Sequence, residues 1–288
     1  MKKVLSIGEV LWDVFPTYKK PGGSPANLAY HLHSLGNKTI FVSRVGNDNN
    51  GQELLQFLSN KGFSTDFIEK DYSQPTGTVT VTFTDDEPTY IIHEPAAWDY
   101  IEYSDDLKSV AKELDAICFA SLAQRNDITA TTIQQLLSDV PKNCLKVFDL
   151  NLRPPFTDSQ LITEQIKIAD VVKFNEEEFE QAKTWFKTDD PAAYLLEIDP
   201  NKTVLRTLGA NGSEIITSNG TIHEPASPIS GKGDFVGVGD AFLACFTHLM
   251  LRNTPSDDIL SKANHYAAAV ASQQGGMPEI YDSILKSI

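Results

Sequence analysis

The sequence predicts an α/β domain with a mostly parallel sheet and a small β element near its start. Short continuous apolar runs occupy 116–120, 147–150, 171–174 and 204–208, and helix-like segments separate them. Such alternation is typical of a parallel sheet that helices cover on both faces. The segment 77–94 instead alternates valine or phenylalanine with threonine, and this period of two predicts an antiparallel hairpin. A chain of 288 residues is long enough to bury one such core.

Capping and turn residues define the elements of the first half of the chain. The predicted elements, in order, are a strand at 4–8, a helix at 24–36, a strand at 40–45 and a helix at 51–61. In the first helix, Ser24 is the predicted N-cap, Pro25 fits the first turn and Gly36 follows the last turn. Residues 85–88, which include two aspartates and a proline, are predicted to turn the hairpin.

Charge and cysteine usage argue against several kinds of partner. The formal net charge is −15 and the isoelectric point is about 4.7, which argues against nucleic acids and anionic membranes. No apolar run approaches a membrane span, and we expect no cleavable signal sequence at the start. Cys118, Cys144 and Cys245 are widely spaced in apolar stretches, so we expect reduced core residues and a cytoplasmic protein. The six histidines form no ligand cluster, so we expect no structural zinc site.

The segment 234–242 contains the strongest functional signal. Gly237 and Gly239 frame a turn, Asp240 follows at once, and an apolar helix pattern begins there. The start of a helix presents unpaired N–H groups and a partial positive charge, and glycines let an anion approach the backbone. A carboxylate repels an anion at such a place, but a catalyst needs it to deprotonate a hydroxyl group beside a phosphoryl group. The alternative is that Asp240 only complements the helix dipole.

Polar residues at the ends of successive predicted strands point to one site. In α/β sheets, ligands bind beyond the carboxyl ends of the parallel strands. The residues found there are Asp149, Asn151 and Arg153 after one strand, Asn175 and 176–178 after the next, and Thr207, Gly209 and Gly212 after a third. Each group also has a structural explanation, as turn formers, an acidic first helical turn or hairpin glycines. Together they supply the carboxylates, the guanidinium group and the glycines that phosphoryl transfer needs.

The segments 22–29 and 234–242 resemble the two signature regions of the PfkB carbohydrate kinases, within the ribokinase-like superfamily. Three further motifs match between them, in order and spacing: Asp149-x-Asn151-x-Arg153, Asn175-x-x-Glu178 and Thr207-x-Gly209-x-x-Gly212. The resemblance runs from Ile7 to about Gly276, and the opening residues are most similar to the fructokinase branch. It implies a three-layer α/β/α ribokinase-like domain with a mostly parallel central sheet and a small β-sheet lid.

The resemblance implies a sugar site and a catalytic group. The residues that would bind the sugar are Asp13, Gly22, Gly23, Asn27, Asp149 and Asn151. Asp240 would be the general base for the attacking hydroxyl group. The backbone N–H groups of Gly237, Val238 and Gly239 would form the anion hole, with Arg153 near the phosphates or the sugar.

The resemblance also implies a nucleotide site and metal ions. ATP would lie against Thr207, Gly209, Gly212 and Asn264. Asn175 and Glu178 would position Mg²⁺ through water. Family members often bind a monovalent cation through an aspartate that corresponds to Asp234. Here Phe235 and Val236 replace the usual two threonines, so activation by K⁺ is left open.

A lid is implied by the segments around the predicted hairpin. The kinase domain would comprise 1–9, 23–76 and 105–288, and the lid 10–22 and 77–104. The lid would close on the substrate and exclude water. Because its strands offer free edges, the sequence is compatible with a monomer and with a homodimer that pairs through the lid. The expected partners are a small-molecule sugar and ATP, with no nucleic acid and no membrane.

Phosphorylation of a furanose sugar, first of all fructose to fructose 6-phosphate, is the function that the resemblance favours. Kinases for ribose, ketodeoxygluconate or nucleosides are the alternatives within the family. A non-catalytic sugar-binding protein on the same scaffold is a second class, and the intact Asp240, Asn175 and Glu178 argue against it. A dinucleotide-dependent dehydrogenase is excluded because Phe242 stands where the third glycine of its motif is required.

Overall fold

A computed structural model describes residues 1–84 and 87–288 of the chain. The strands are β1 Lys3–Ile7, β2 Leu11–Val14, β3 Lys19–Gly22, β4 Lys38–Gly46, β5 Ile68–Asp71, β6 Gly77–Thr84, β7 Glu87–Ile92, β8 Ala116–Ala120, β9 Leu145–Asp149, β10 Val171–Asn175, β11 Thr203–Thr207, β12 Ser213–Thr217 and β13 Gly220–Glu224. The helices are α1 Ser24–Ser34, α2 Asn49–Asn60, α3 Asp105–Ala111, α4 Asp127–Asp139, α5 Ser159–Ile168, α6 Glu176–Phe186, α7 Pro191–Ile198, α8 Val238–Met250, α9 Ser256–Ala271 and α10 Asp282–Leu285. The turn predicted at 85–88 falls partly on 85–86, which lie outside the described residues.

The central sheet has nine strands within these described ranges, in the order β13-β12-β11-β10-β9-β8-β1-β4-β5. All neighbours from β11 to β5 are parallel, whereas β12 and β13 pair antiparallel at one edge. The mostly parallel sheet predicted from the sequence is therefore confirmed. The strand order reverses beside β1, which lies between β4 and β8. Ligands of α/β sheets bind beyond the strand ends at such a reversal.

Helices cover both faces of the central sheet. Neighbouring residues of a strand point to opposite faces, so they pack against different helices. Leu5 and Ile117 pack with residues of α3, α4, α5 and α6 in one core cluster. The adjacent Val4 and Cys118 pack with residues of α1, α8 and α9 in another. The three-layer α/β/α architecture is thus confirmed. All three cysteines are free and buried, as predicted.

A second sheet has four strands, in the order β3-β2-β6-β7. Strands β6 and β7 form the predicted antiparallel hairpin, in which Val79 pairs with Ile92. Strand β2 is antiparallel to β3 but parallel to β6, a pairing that the alternation pattern did not predict. Leu11, Val79 and Val81 form the buried cluster of this sheet. Trp98, which follows the hairpin, is fully buried in the core of the central sheet.

The first two helices are close to their predicted ranges. The helix predicted at 24–36 ends at Ser34, and Gly36 follows it with a φ of 81°, as expected for the residue that ends a helix. Helix α2 begins two residues before its predicted start, because the Asp48 side chain caps it and accepts a hydrogen bond from the N–H of Gly51. Within the described ranges, no helix combines the length and the apolar character needed to cross a bilayer.

Candidate active site

Two neighbouring cavities lie beyond the carboxyl ends of the parallel strands, and Phe235 lines both of them. One, the acidic cavity of about 530 Å³, is lined by the predicted site residues Asp13, Gly22, Gly23, Asn27, Asn151, Arg153, Asp234, Gly237 and Asp240. The other, the apolar cavity of about 670 Å³, is lined by the predicted Asn175, Thr207, Gly209, Gly212, Val238, Gly239 and Asn264. Asp149 and Glu178 line neither cavity and are buried.

Asp240 is held by two residues of α1. The Ser24 hydroxyl donates to Oδ1 at 2.6 Å, and the Asn27 amide donates to Oδ2 at 2.8 Å. Burial raises the pKa of Asp240, and the nearby carboxylate of Asp149 raises it further, although the two hydrogen bonds oppose this. A carboxylate that is fixed in orientation and has a raised proton affinity is suited to take a proton from a hydroxyl group in the acidic cavity.

The prediction that Ser24 is the N-cap of α1 is wrong. Gly23, with a φ of 109°, occupies the cap position, and no side chain from the described residues caps this helix. Ser24 is the first helical residue, and its hydroxyl reaches Asp240, which is 216 positions away along the chain. A hydrogen bond to a carboxylate is stronger than one to a neutral backbone group, so the tertiary contact overrides the local capping preference.

Helix α8 begins two residues before Asp240, and in the part of the chain that the structure describes no side chain caps it. Its N-cap, Gly237, has a φ of 71°, and a Cβ added there would lie 2.6 Å from the Cα of Gly276. Only glycine fits this position without moving the neighbouring segment. The first helical hydrogen bond is donated by the N–H of Ala241. The preceding N–H groups of Val238 and Gly239 have no acceptor within the helix, so they can bind an anion.

The amide of Asn27 packs closely against Gly276. A Cβ on Gly276 would lie 2.6 Å from the Asn27 Oδ1, so the close contact requires glycine. The carbonyl of Gly276 also contacts Nε2 of His31 at 3.0 Å, and Nδ1 of the same ring contacts the Tyr266 hydroxyl at 3.1 Å. Burial lowers the pKa of His31 to about 3. The ring is thus neutral near pH 7, and its contacts support Asn27 and Asp240.

Lys173, a buried lysine on β10 for which no role was predicted, lies near the start of α8. Its Nζ is 2.9 Å from the Asp149 Oδ1, and a Cβ on Gly239 would lie 3.6 Å from it. Burial lowers the pKa of Lys173, but Asp149 and Glu178 outweigh this and raise it overall. Lys173 therefore carries its charge beside the start of α8, and Asp149, a predicted sugar-binding residue, holds it. A lysine inside a buried strand needs an anionic partner, which is the sequence signal that could have found this pair.

Asn175 and Glu178, the predicted magnesium residues, form a capping box at the start of α6. The Glu178 carboxylate accepts hydrogen bonds from the backbone N–H groups of Asn175 at 2.8 Å and Leu152 at 2.9 Å. Burial raises the pKa of Glu178, while Lys173 opposes the shift. Over residues 1–84 and 87–288, no cluster of three or more His, Cys, Asp or Glu side chains is arranged to ligate a metal directly. An all-oxygen pair fits a magnesium ion that keeps its water shell.

Asp234, the predicted ligand of a monovalent cation, is paired with a lysine. The Nζ of Lys20, on β3, is 2.8 Å from the Asp234 Oδ2. The N–H of Gly275 also donates to both carboxylate oxygens at 3.0 Å, and the N–H of Val236 donates to Oδ1 at 3.2 Å. Partial burial opposes ionisation, but these hydrogen bonds hold the pKa of Asp234 below its usual value. The pair joins the small sheet to the segment before α8.

The acidic cavity contains two further carboxyl groups, those of Glu9 and Asp13. Burial raises the pKa of Glu9 to about 7 and that of Asp13 to about 6, although Arg153 opposes both shifts. Asp13 is a predicted sugar-binding residue, whereas no role was predicted for Glu9. A Cβ on Gly22 would lie 2.6 Å from the Asp13 Oδ2, and one on Gly23 would lie 2.4 Å from the Glu9 carbonyl oxygen. The two glycines thus let β3 and α1 approach these residues closely.

The amide of Asn264 lines the apolar cavity but is already engaged by the protein. Its Oδ1 accepts a hydrogen bond from the Ser213 hydroxyl at 3.0 Å, and its Nδ2 donates to the carbonyls of Glu224 at 3.1 Å and Pro225 at 3.0 Å. The other walls are largely apolar or glycine, and include Ala210, Ala226, Ile229, Phe242, Ala267, Ala268 and Ala271. The cavity therefore offers shape and apolar surface to a flat ring.

Comparison with known proteins gives one family over nearly the whole chain. The family described as pfkB family carbohydrate kinase matches residues 1–281. A fructokinase from Vibrio alginolyticus is 30% identical over 308 residues, which cover 96% of this chain and 95% of the relative. An ATP-dependent 6-phosphofructokinase from Thermoanaerobacterium thermosaccharolyticum is 32% identical over 265 residues, 84% of this chain and 80% of the relative.

The fold is also similar to that of a solved sugar kinase. The crystal structure of an uncharacterized sugar kinase from Pyrococcus horikoshii in complex with ATP superposes with a TM-score of 0.82. The two chains are 25% identical, and the match covers 99% of this chain and 100% of the other. Both cavities therefore lie within the region that the comparison covers.

Proposed function

Because the chain belongs to the PfkB family of carbohydrate kinases, we propose that it transfers the γ-phosphoryl group of ATP to a primary hydroxyl group of fructose, giving fructose 6-phosphate. The family match establishes that the protein is a sugar kinase. The proposal adds the sugar, the phosphoryl donor and the roles of individual residues. The position of Asp240 is the observation that carries it: this buried carboxylate lines the acidic cavity, one residue after Gly239, which lines the apolar cavity.

In the proposed reaction, the sugar lies in the acidic cavity and the nucleotide in the apolar cavity. Asp240, oriented by Ser24 and Asn27, takes the proton from the attacking hydroxyl group. The free N–H groups at the start of α8 hold the charge of the transferring phosphoryl group, and the Lys173 ammonium lies close by. Val79, Tyr90 and Ile92 of the small sheet also line the acidic cavity. This supports the lid role, in which the sheet excludes water from the reaction.

Asn175 and Glu178 would hold magnesium through its water shell. Each side-chain oxygen of the two residues accepts one backbone hydrogen bond and keeps a second lone pair. Carboxylate and amide oxygens are the groups that hydrated Mg²⁺ contacts in proteins. When bound, the ion neutralises charge on the β- and γ-phosphates. The sugar kinase of Pyrococcus horikoshii was crystallised with ATP, which supports ATP as the donor here.

The charge of the acidic cavity favours a neutral sugar over a sugar phosphate. The two curated relatives point to different substrates, fructose and fructose 6-phosphate. Four carboxyl groups line the cavity, those of Glu9, Asp13, Asp234 and Asp240. Lys20 pairs with Asp234, and Arg153 is the cation in the lining. A phosphate group would be repelled by these carboxylates. The same argument disfavours ketodeoxygluconate, which is an acid, and leaves ribose and nucleosides as the competing substrates.

The test is ADP release from ATP and magnesium with a panel of sugars, with and without potassium. The panel is fructose, fructose 6-phosphate, ribose, tagatose, glucose, ketodeoxygluconate and adenosine. We expect the highest kcat/KM with fructose and the lowest with the two anionic substrates. A higher kcat/KM for fructose 6-phosphate would overturn the choice of substrate. Sugar binding by calorimetry without turnover of any substrate would support the non-catalytic alternative.

A further inference from the structure

We propose that Glu9 is a specificity residue for the sugar, and that its side chain forms a hydrogen bond with one hydroxyl group of the substrate in the acidic cavity. This inference rests on the proposed function, because it assumes that a sugar occupies that cavity. Neither the sequence motifs nor the similarity to other kinases assigns a role to this residue.

Glu9 is buried yet lines the acidic cavity. It follows β1 and Gly8, and the whole residue is 2% exposed. Its backbone carbonyl oxygen packs against Gly23. Among the described residues, its Oε2 has no hydrogen-bond partner. A buried carboxyl oxygen without a partner costs the protein desolvation free energy, so it is retained where something else completes the hydrogen bond. The cavity in front of Glu9 is where that partner would bind.

Three other carboxylates around the site are engaged by protein groups. Asp240 accepts hydrogen bonds from α1, Asp234 is paired with Lys20, and Asp149 is paired with Lys173. Glu9 forms no ion pair in the described part of the chain, and the nearby charges are the Arg153 guanidinium and the Asp240 carboxylate. Backbone hydrogen bonds from Glu9 and Ser24 lower the pKa of Glu9, yet its Oε2 has no partner among the described residues. The Oδ2 of Asp149 has none either, but Asp149 lines neither cavity, so Glu9 and Asp13 are the carboxyl groups that the acidic cavity offers to a ligand.

The chemistry of Glu9 suits a hydroxyl group better than a charged ligand. Burial raises the pKa of Glu9 to about 7, so near neutral pH the group exists in both protonation states. A protonated carboxyl group donates a hydrogen bond and an ionised one accepts it, and a sugar hydroxyl can pair with either. The side chains of Ser24 and Asn27 orient Asp240 and not Glu9, so in this proposal Glu9 binds the sugar while Asp240 takes the proton.

The test combines two Glu9 variants with deoxy sugars. Glu9→Met keeps the side-chain volume but removes both oxygens, and Glu9→Gln keeps a donor and an acceptor. Glu197→Met, at an exposed glutamate on α7, is the matched control. We measure kcat and KM for fructose and for each single-deoxy fructose, together with sugar binding by calorimetry and the melting temperature.

We expect Glu9→Met to lower kcat/KM for fructose about 10- to 100-fold, mainly through KM, as for a lost hydrogen bond to substrate. One deoxy sugar lacks the hydroxyl group that Glu9 binds. With that sugar, kcat/KM of Glu9→Met should be less than about threefold below that of the unchanged protein. Glu9→Gln should stay within about fivefold of the unchanged protein. Equal losses with every deoxy sugar, or no loss at all, would overturn the inference and leave the proposed function intact. If the unchanged protein neither binds nor phosphorylates any sugar, the proposed function and the inference both fail.

Discussion

The acidic and apolar cavities lie side by side, but they present their polar groups in opposite ways. In the acidic cavity, Glu9 and Asp13 keep carboxyl groups in a buried setting that raises the pKa of each. In the apolar cavity, the amide of Asn264 is satisfied by Ser213 and by two backbone carbonyls. A site built to hydrogen-bond a ligand rejects molecules that leave its groups unpaired, whereas an apolar slot discriminates weakly. The comparison predicts strict sugar selection and loose nucleobase selection.

The largest effect is expected from replacing Asp240, which lies at the boundary between the cavities. Asp240→Asn should lower kcat about 1,000-fold, within the range of general-base catalysis, because an amide cannot take the proton of the sugar hydroxyl. Sugar and ATP binding, measured by calorimetry, should change less than about threefold, because Asn27 and the start of α8 remain. Asp106→Asn, at an exposed aspartate on α3, is the control. A kcat within tenfold of the unchanged protein would remove Asp240 from the base role.

The start of α8 is the part of the boundary that lines the apolar cavity, through Val238 and Gly239. Gly237→Ala should lower kcat/KM about 10- to 100-fold, because the added Cβ would lie 2.6 Å from Gly276 and shift the N–H groups of the anion hole. Gly36→Ala is the matched control, since Gly36 also has a positive φ but has open space around it. Both variants should lose about 1–2 kcal/mol of stability from backbone strain. Equal activity of the two variants would contradict the anion-hole role.

The pH dependence of stability tests whether the acidic cavity contains a buried carboxyl group with a raised pKa. Burial raises the pKa of Glu9 from 4.5 to about 7, with Arg153 and Asp240 as its charged neighbours. The folded protein therefore binds this proton more tightly than the unfolded chain does, and the stability that it provides is lost as the pH rises through about 7. Relative to Glu9→Gln, the unchanged protein should lose about 2 kcal/mol of unfolding free energy between pH 5.5 and 8.

Urea unfolding at four or five pH values across that range measures the difference. Glu177→Gln, at an exposed glutamate that lines the apolar cavity, serves as the control. Parallel stability profiles for the unchanged protein and Glu9→Gln would mean that Glu9 does not titrate in this range, and that the acidic cavity is not set apart by a buried carboxyl group.

Nucleobase selection is expected to be loose. GTP should support a kcat/KM within about tenfold of that for ATP, because the engaged amide of Asn264 has no hydrogen-bond donor left to read the base. The measurement is sugar phosphorylation with ATP, GTP and ITP at saturating fructose. A preference for ATP above about 1,000-fold would show that polar groups read the adenine, and the contrast between the cavities would fail.

The smallest expected effect concerns potassium. Because the Lys20 ammonium already pairs with Asp234, added K⁺ should change kcat less than about twofold. Lys20→Met should lower activity and make it respond to K⁺, because the variant leaves Asp234 without its cation. The control is Lys19→Met, at the neighbouring lysine of β3, which pairs with Glu53 of α2. Strong activation of the unchanged protein by K⁺ would mean that the ion displaces Lys20.

The sequence reveals the fold more completely than the site. Buried strands and the start of α8 have local patterns, so the sheet, the hairpin and Gly237 with Asp240 could be predicted. Ser24 and Asp240 are 216 positions apart, and a rule about neighbouring residues assigned Ser24 to helix capping instead. Glu9 and Lys173 stand in ordinary positions next to or within apolar strands. Their burial and partners depend on how the strands are ordered in the sheet, which a single sequence does not specify.

The three buried thiols allow chemical labelling to report how the layers of the protein come apart. Cys118 and Cys245 lie in the core cluster on one face of the sheet, and Cys144 lies in the cluster on the other face. Burial raises the pKa of Cys144 and Cys245 to about 12, and it raises the pKa of Cys118 as well. Since the thiolate is the reactive form, alkylating reagents can modify each cysteine only after its face opens to solvent. The order in which the three are alkylated during partial unfolding would therefore tell whether the two helical layers separate together or one after the other.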